Sequence, residues 1–353
     1  MKNYIKKTIL AGVAGILLVP TLHASTVNIV TVGGNASIKL VQDRLTNSVG
    51  GLLPGGTITY NATNTLIFRA VGVYGGSTNV TWDFNFTGGA AAILDIANQN
   101  PVRLADNTTA IPVNAISVVA PETVGINSTA LGLQQDYTLV APLVYVKNPG
   151  ADLVGVSNLT QRLAVYLESS GGTLPATYFG GATANPVYFV GRNTSAAVRQ
   201  VVDANIFFTG TAANYHTNAL GQPVQWTGAG SGTEVANNVK VILGSIGTVA
   251  AQDAGTLPQL SYEGVFFSTA SVTNGTYPIW GYERYIYFPA PDARAPSTTQ
   301  LGLITALENA VSDPTYDHGN SLFVGKFVSY ADVNANVSRS TTLDGGLIYS
   351  QIY

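Results

Sequence analysis

The groups in this chain best suited to chemistry are hydroxyl and glycine turns that sit just ahead of helical patterns. Asn35-Ala36-Ser37 follows a β-branched run at 26–32, Asn193-Thr194-Ser195 follows the apolar run 187–190, and Ser231-Gly232-Thr233 precedes the apolar-periodic stretch 235–243. A helix N-terminus presents unpaired N–H groups and a partial positive charge, so several of them converging on one cleft hold an anion without any lysine. Taken singly, each turn is also an ordinary helix cap.

Other chemistries lack their central residues. Beyond His23 the histidines are His216 and His318, in the polar contexts Asn214-Tyr-His-Thr and Asp317-His-Gly; there is no HExxH pair and no cysteine. Asp313, Asp317 and His318 fall in a Pro-containing turn, where acids are ordinarily solvated. No GxSxG elbow precedes a helix, and no P-loop exists; Gly228-Ala-Gly-Ser-Gly-Thr233 reads as a glycine-rich surface turn. No nucleophile–base or metal constellation remains, so the expectation is a non-enzyme with no metal and no cofactor.

These turns need a frame to position them. Of 353 residues, 46% are hydrophobic and 10% charged, enough apolar material for a sizeable core without disulfides or metal. The net charge of −3 gives no basic surface for counterion release and argues against nucleic-acid partners. Residues 1–24 read as an export signal: Lys2, Lys6 and Lys7 without an acid, the apolar run 9–19, then Pro20-Thr-Leu-His-Ala24 ahead of Ser25. No later stretch approaches the ~20 uncharged apolar residues of a spanning helix. The mature chain is expected to be acidic, periplasmic or secreted, and without a membrane span.

Strand-like and helix-like segments alternate. The run 26–32 breaks at Gly33-Gly34, and 37–49 then places Ile38, Val41, Leu45 and Val49 near one helical face. The order recurs at 66–71 before Gly75-Gly76, at Gly88-Gly89 ahead of an Ala-rich stretch, and best at 186–190, where Gly191 precedes a helical pattern carrying Val198, Val201, Val202 and Ile206. Near the end Thr298-Thr299 is expected to cap a helix with Leu301, Ile304, Leu307 and Val311 inward. Such alternation predicts α/β layers with mostly parallel sheets, and the polar segments 47–64 and 210–232 read as insertions on that frame. The three tryptophans and most of the 18 tyrosines are expected to pack sheets.

The order of these segments resembles a known family. Asn158-Leu-Thr160, a polar helix, Tyr178-Phe-Gly-Gly and Pro186-Val-Tyr-Phe-Val-Gly-Arg-Asn-Thr-Ser-Ala-Ala-Val-Arg199 are similar to the middle of the phosphate-binding proteins of ABC importers. The segments 239–249, with Gly244-Ser-Ile-Gly-Thr-Val249, and Asn274-Gly-Thr-Tyr-Pro-Ile-Trp-Gly-Tyr-Glu-Arg-Tyr-Ile-Tyr287 resemble two later family stretches, and Gly33-Gly-Asn-Ala-Ser-Ile38 resembles its opening turn. The resemblance implies a two-lobed α/β fold of the type II periplasmic-binding-protein kind, each lobe a mixed, mostly parallel sheet flanked by helices, with ligand gripped in the cleft between lobes. Lobe one is placed at 25–138 plus 283–353 and lobe two at 139–282.

The same resemblance implies an exported binding protein for phosphate or another small oxyanion, delivering it to an importer permease. Its implied ligand-binding residues are Ser37, Ile38, Asn193, Thr194, Ser195, Arg199, Ser231 and Thr233. The chain departs from the family at Ala196, Ala197 and Val198, which stand at Ser, Gly and Thr positions. It also has no Asp in 115–122, where the family carries a serine–aspartate pair. Each lost charge-assisted bond removes about 1.5–3 kcal/mol. A second reading is therefore the same fold with a degenerate anion site, acting as an extracellular or surface interaction protein. A membrane barrel, suggested by few charges and many tyrosines, conflicts with the helical patterns at 37–49 and 299–311.

Overall fold

In a computed structural model the described residues are 25–34, 37–313, 326–340, 344, 345 and 348–350; the expected export signal, Asn35, Ala36, Asp317 and His318 lie outside them. The β-branched opening forms β1 (Thr26–Gly33). After the Gly33-Gly34 break comes helix α1 (Ile38–Thr46), burying Leu40, Val41 and Leu45. It stops three residues short of the expected Val49, which is exposed: Asn47 adopts an extended conformation and its side chain accepts from the Val49 N–H instead. The segment 47–64 is no plain insertion, since it supplies strand β2 (Thr57–Tyr60). Strands β3 (Ile67–Tyr74) and β4 (Thr78–Asn85) join through Gly75 and Gly76, both at positive φ, so this glycine pair makes a hairpin and not a strand-to-helix turn.

Gly88-Gly89 does open a helix, α2 (Gly89–Asn98), which leads to β5 (Asn114–Ser117). The long β6 (Gln134–Lys147) comes next, then α3 (Gln161–Ser169), N-capped by Thr160. Beyond it lie β7 (Tyr188–Val190) and α4 (Ala197–Ile206), whose Val198, Val201, Val202 and Ile206 are buried as their spacing predicts. The segment 210–232 is a second hairpin, β8 (Asn214–Thr217) with β9 (Pro223–Trp226), on which His216 packs against Trp226. Helix α5 (Gly232–Val241) begins at Ser231 and leads to β10 (Ser245–Ala250), and β11 (Trp280–Tyr287) returns. Helix α6 (Thr298–Ser312) is capped by Ser297 and not by the threonines, because the Ser297 hydroxyl and the Gln300 side chain close a reciprocal capping box. Strand β12 (Val328–Ser329) adds to β6.

One continuous sheet results, in the order β9-β8-β7-β10-β6-β11-β5-β1-β4-β3-β2. It is mixed: pairing is parallel in β5-β1-β4 and β8-β7-β10, each a strand–helix–strand core, and antiparallel at the hairpins and along the two long strands. Antiparallel pairs are thus more numerous than the alternation of segments suggests. Strands β6 and β11 form the spine, with β11 pairing β6 along both its ends and β5 through Arg284–Ile286. The ladder shifts register between Tyr282 and Arg284, leaving Glu283 at an irregularity in mid-strand. One core joins α1 and α6 to the β1–β4 face through Val41, Phe68, Trp82, Phe84 and Ile304, and a larger one runs under α2, α4 and α5 across both halves of the sheet.

Candidate functional site

Where the two halves of the sheet meet, three helix starts face one another. Gly34 donates to the Ile116 carbonyl at 3.0 Å and Gly88 to the Gly33 carbonyl at 3.2 Å, which ties the openings of α1 and α2 together. From the other half comes α4, whose N-cap position is Ala196, with no side-chain cap. The first amides of each helix have no intrahelical acceptor. They border a small space lined by Gly34, Ser37, Gly88, Gly89, Ser117 and Arg192, together with Ala196, Ala197 and Val198.

Arg192 is the one charged side chain among the described lining residues, and it is buried. Its Nε and Nη2 donate to the Ala229 and Gly230 carbonyls at 3.1 and 2.8 Å. The glycine-rich turn at 228–233 is therefore a clamp on Arg192. Gly228 sits at φ 115°, and a Cβ there would lie 2.6 Å from the Arg192 backbone, so only glycine lets the turn cross so closely. Burial brings the Arg192 guanidinium down to about 10, so it remains charged at neutral pH.

Ser37 does not cap α1. Its hydroxyl donates to Glu283 Oε2. Glu283 is fully buried, its Oε1 has no hydrogen-bond partner among the described residues, and desolvation pushes the carboxyl up to about 7 against the opposing pull of the Ser37 bond.

The space is small, ≈ 10 Å³, room for about one water molecule. The reason lies in the substituted turn. A Cβ on Gly89 would lie 2.8 Å from both the Ala197 methyl and Ser117 Oγ, so the α2 and α4 starts are already in contact, and Ala196, Ala197 and Val198 are buried there.

Of the sequence-implied residues, Ser37 lines this space. Ile38, Ser231 and Thr233 line a second, wider one of ≈ 360 Å³ with Lys39, Tyr60 and Asp253, and Ser231 spends its hydroxyl capping α5 at the Glu234 amide, 3.1 Å away. Burial raises the Asp253 carboxyl above its ordinary range, opposed by the charges of Arg192 and Lys39. Thr194 and Ser195 are exposed, Ser195 donates to Asn193 Oδ1 at 2.9 Å, and neither is among the residues lining the small space.

Arg199 is not at the cleft. It is 1% exposed, its Nε donates to Asp203 at 2.6 and 2.7 Å, Glu168 lies 3.6 Å from its Nη2, and Phe189 and Phe208 present their rings to it. The helical turn aims it at the acids of α3 and α4, which makes it a core ion-pair residue. Sequence reasoning passed over Gly88-Gly89, Ser117 and Glu283 as site residues; the first carried a signal in the glycine pair ahead of a helix, and Ser117 one in its place within 115–122, where the family it resembles has a serine–aspartate pair. Among the described residues no cluster of three or more His, Asp or Glu side chains is placed to hold a metal.

No protein-family model matches the sequence, and no curated protein matches it. Solved structures do match in fold. A Clostridium perfringens structure, described as a substrate-binding protein of a phosphate ABC transporter with bound phosphate, is 13% identical; the match covers 80% of this chain and 93% of that one at a TM-score of 0.53. A DING protein is 13% identical over 87% and 93%, with a TM-score of 0.51. An ABC-type phosphate transport receptor from Vibrio cholerae is 14% identical over 79% and 93%, with a TM-score of 0.50. The chain therefore has the α/β fold of the phosphate-binding proteins that its sequence resembles.

Proposed function

We propose that the chain is an exported binding protein that closes two lobes, 25–138 with 283–353 and 139–282, on a small oxyanion such as phosphate, and presents it to an importer permease. It performs no covalent chemistry and works in the periplasm or outside the cell. The observation that carries this reading is the convergence of three helix N-termini, the Ser37 hydroxyl and the Arg192 guanidinium on one space whose described lining residues include no acid. The fold likeness and the export-signal pattern at 1–24 support it.

Calorimetric titration of the chain from Ser25 onward with phosphate, and in parallel with sulfate, tests it. Micromolar or tighter binding that weakens about tenfold or more in Ser37→Ala is the expected result, since one charge-assisted bond is worth about 1.5–3 kcal/mol. One observation favours a second reading, a surface interaction protein with a closed-off cleft: the Ala197 methyl already meets Gly89 where an anion would sit. Folded protein that gives no heat with either anion would overturn the first reading and move the search to other ligands or to protein partners.

A further inference from the structure

We propose that oxyanion capture at Ser37 is coupled to the uptake of one proton by Glu283, so that the cleft takes an anion and a proton together. This rests on the reading of the cleft as an oxyanion site and adds what that reading leaves out, a carboxyl one hydroxyl away from the anion.

Ser37 has a single proton to give, as any hydroxyl does. In the structure it goes to Glu283 Oε2. A carboxylate accepts only, so while Glu283 is ionised Ser37 has no proton for a ligand oxygen. Once Glu283 is protonated its own O–H donates to Ser37 Oγ, and the serine proton is released toward the cleft.

Charge acts in the same direction. Glu283 is fully buried at the register shift of β11, and no cation among the described residues pairs with it. At the start of α1 it meets Ser37. From β6, Thr138 donates to its backbone carbonyl at 3.5 Å. Along β11 the facing titratable group is Tyr285, with Glu308 of α6 beyond it; burial first, and then the charges of both acids, raise the proton affinity of that phenol. The neighbouring Arg284 is held 3.3 Å from Asp344 and donates to the Val118 and Tyr282 carbonyls. Arg192 faces Asp253 and Glu234. A negative charge on Glu283 is therefore left to the Ser37 bond alone, and burial already brings its carboxyl to about 7. An anion bound on the far side of Ser37 adds a like charge in a desolvated space and raises that value further. Between the two values, binding draws in a proton.

The test is titration of the wild-type chain and Glu283→Gln with sulfate, which has no titratable proton near neutrality, and with phosphate. Each is run at pH 7.5 in two buffers of different ionisation enthalpy, and then across pH 5.5–8.5. The expected result is an uptake approaching one proton per sulfate in wild type, with affinity falling up to tenfold per pH unit above about 7. Glu283→Gln should show neither. For phosphate, whose own protonation contributes, the difference between the two proteins is the readout.

Binding of either anion with equal proton uptake in both proteins overturns the coupling while leaving the oxyanion site standing. No binding of either anion to either protein overturns the oxyanion site, and the coupling with it. Should Glu283→Gln not fold, infrared difference spectra of wild type on sulfate addition at pH 7.5 read the same event. Growth of a protonated-carboxyl band at the expense of a carboxylate band supports the proposal, and its absence on saturation with sulfate refutes it.

Discussion

Two buried acid systems behave in opposite ways at the level of single residues. Glu283, raised to about 7 by burial, holds a proton in the folded state that it loses in the unfolded chain above its ordinary value. The folded state therefore binds more protons between those limits, so this stabilisation is complete at low pH and is lost as pH rises through about 7. Urea unfolding at pH 5 and pH 8 should show the wild type less stable at pH 8. Glu283→Gln should remove roughly 3 kcal/mol of that difference, with a remainder from Glu308, also raised to about 7 by burial. Arg199 instead compensates Glu168 and Asp203 in the core. Arg199→Ala strands buried acids and should cost about 3–5 kcal/mol in chemical denaturation, with no loss of anion affinity beyond what the lower stability explains. Motif position alone suggested a ligand role for Arg199; the burial of its helix face decides against it.

Helix starts decide how closely the elements around the cleft approach. Gly89→Ala would set a methyl 2.8 Å from Ala197 and Ser117 Oγ. The Ala197 methyl is fixed to its backbone and cannot turn aside, so α2 and α4 must separate. Small-angle scattering should show a larger radius of gyration, and amide exchange should quicken in the first turn of α4. By contrast Ser297→Ala removes only the α6 capping box, away from the cleft lining, and should cost about 1 kcal/mol in thermal unfolding. Much of this layer was legible in the sequence. Gly33-Gly34 and Gly88-Gly89 announced helices, and the spacing of Val198, Val201, Val202 and Ile206 gave the buried face of α4. Gly75-Gly76 looked the same but makes a hairpin, because strand pairing, and not the glycines, sets the element after the turn. Glu283 carried no signal at all: it lies inside an aromatic strand pattern, and its link to the site depends on a register shift and on Ser37, 246 positions away.

Across the whole molecule, the contact of α2 with α4 means that, on the proposed reading, the halves part before an anion enters. Stopped-flow measurement of intrinsic fluorescence, with Trp280 on the spine, should give an observed rate that levels off with anion concentration at the rate of opening. The shared spine has a further consequence, for the order in which the protein is made. Strand β11 pairs β5 and β6, yet it comes well over a hundred positions after them. Until it emerges, both of those strands present an open edge. The stretch between them is contiguous and can fold early, whereas the half built on β1 waits for the return strand. A chain arrested before Trp280 should protect the amides of β7 and β10 and leave those of β5 exchanging freely. Completion of the β1 half is thereby deferred until nearly the whole polypeptide is out, a delay that suits the proposed export, in which that half is threaded through a narrow channel before it becomes compact.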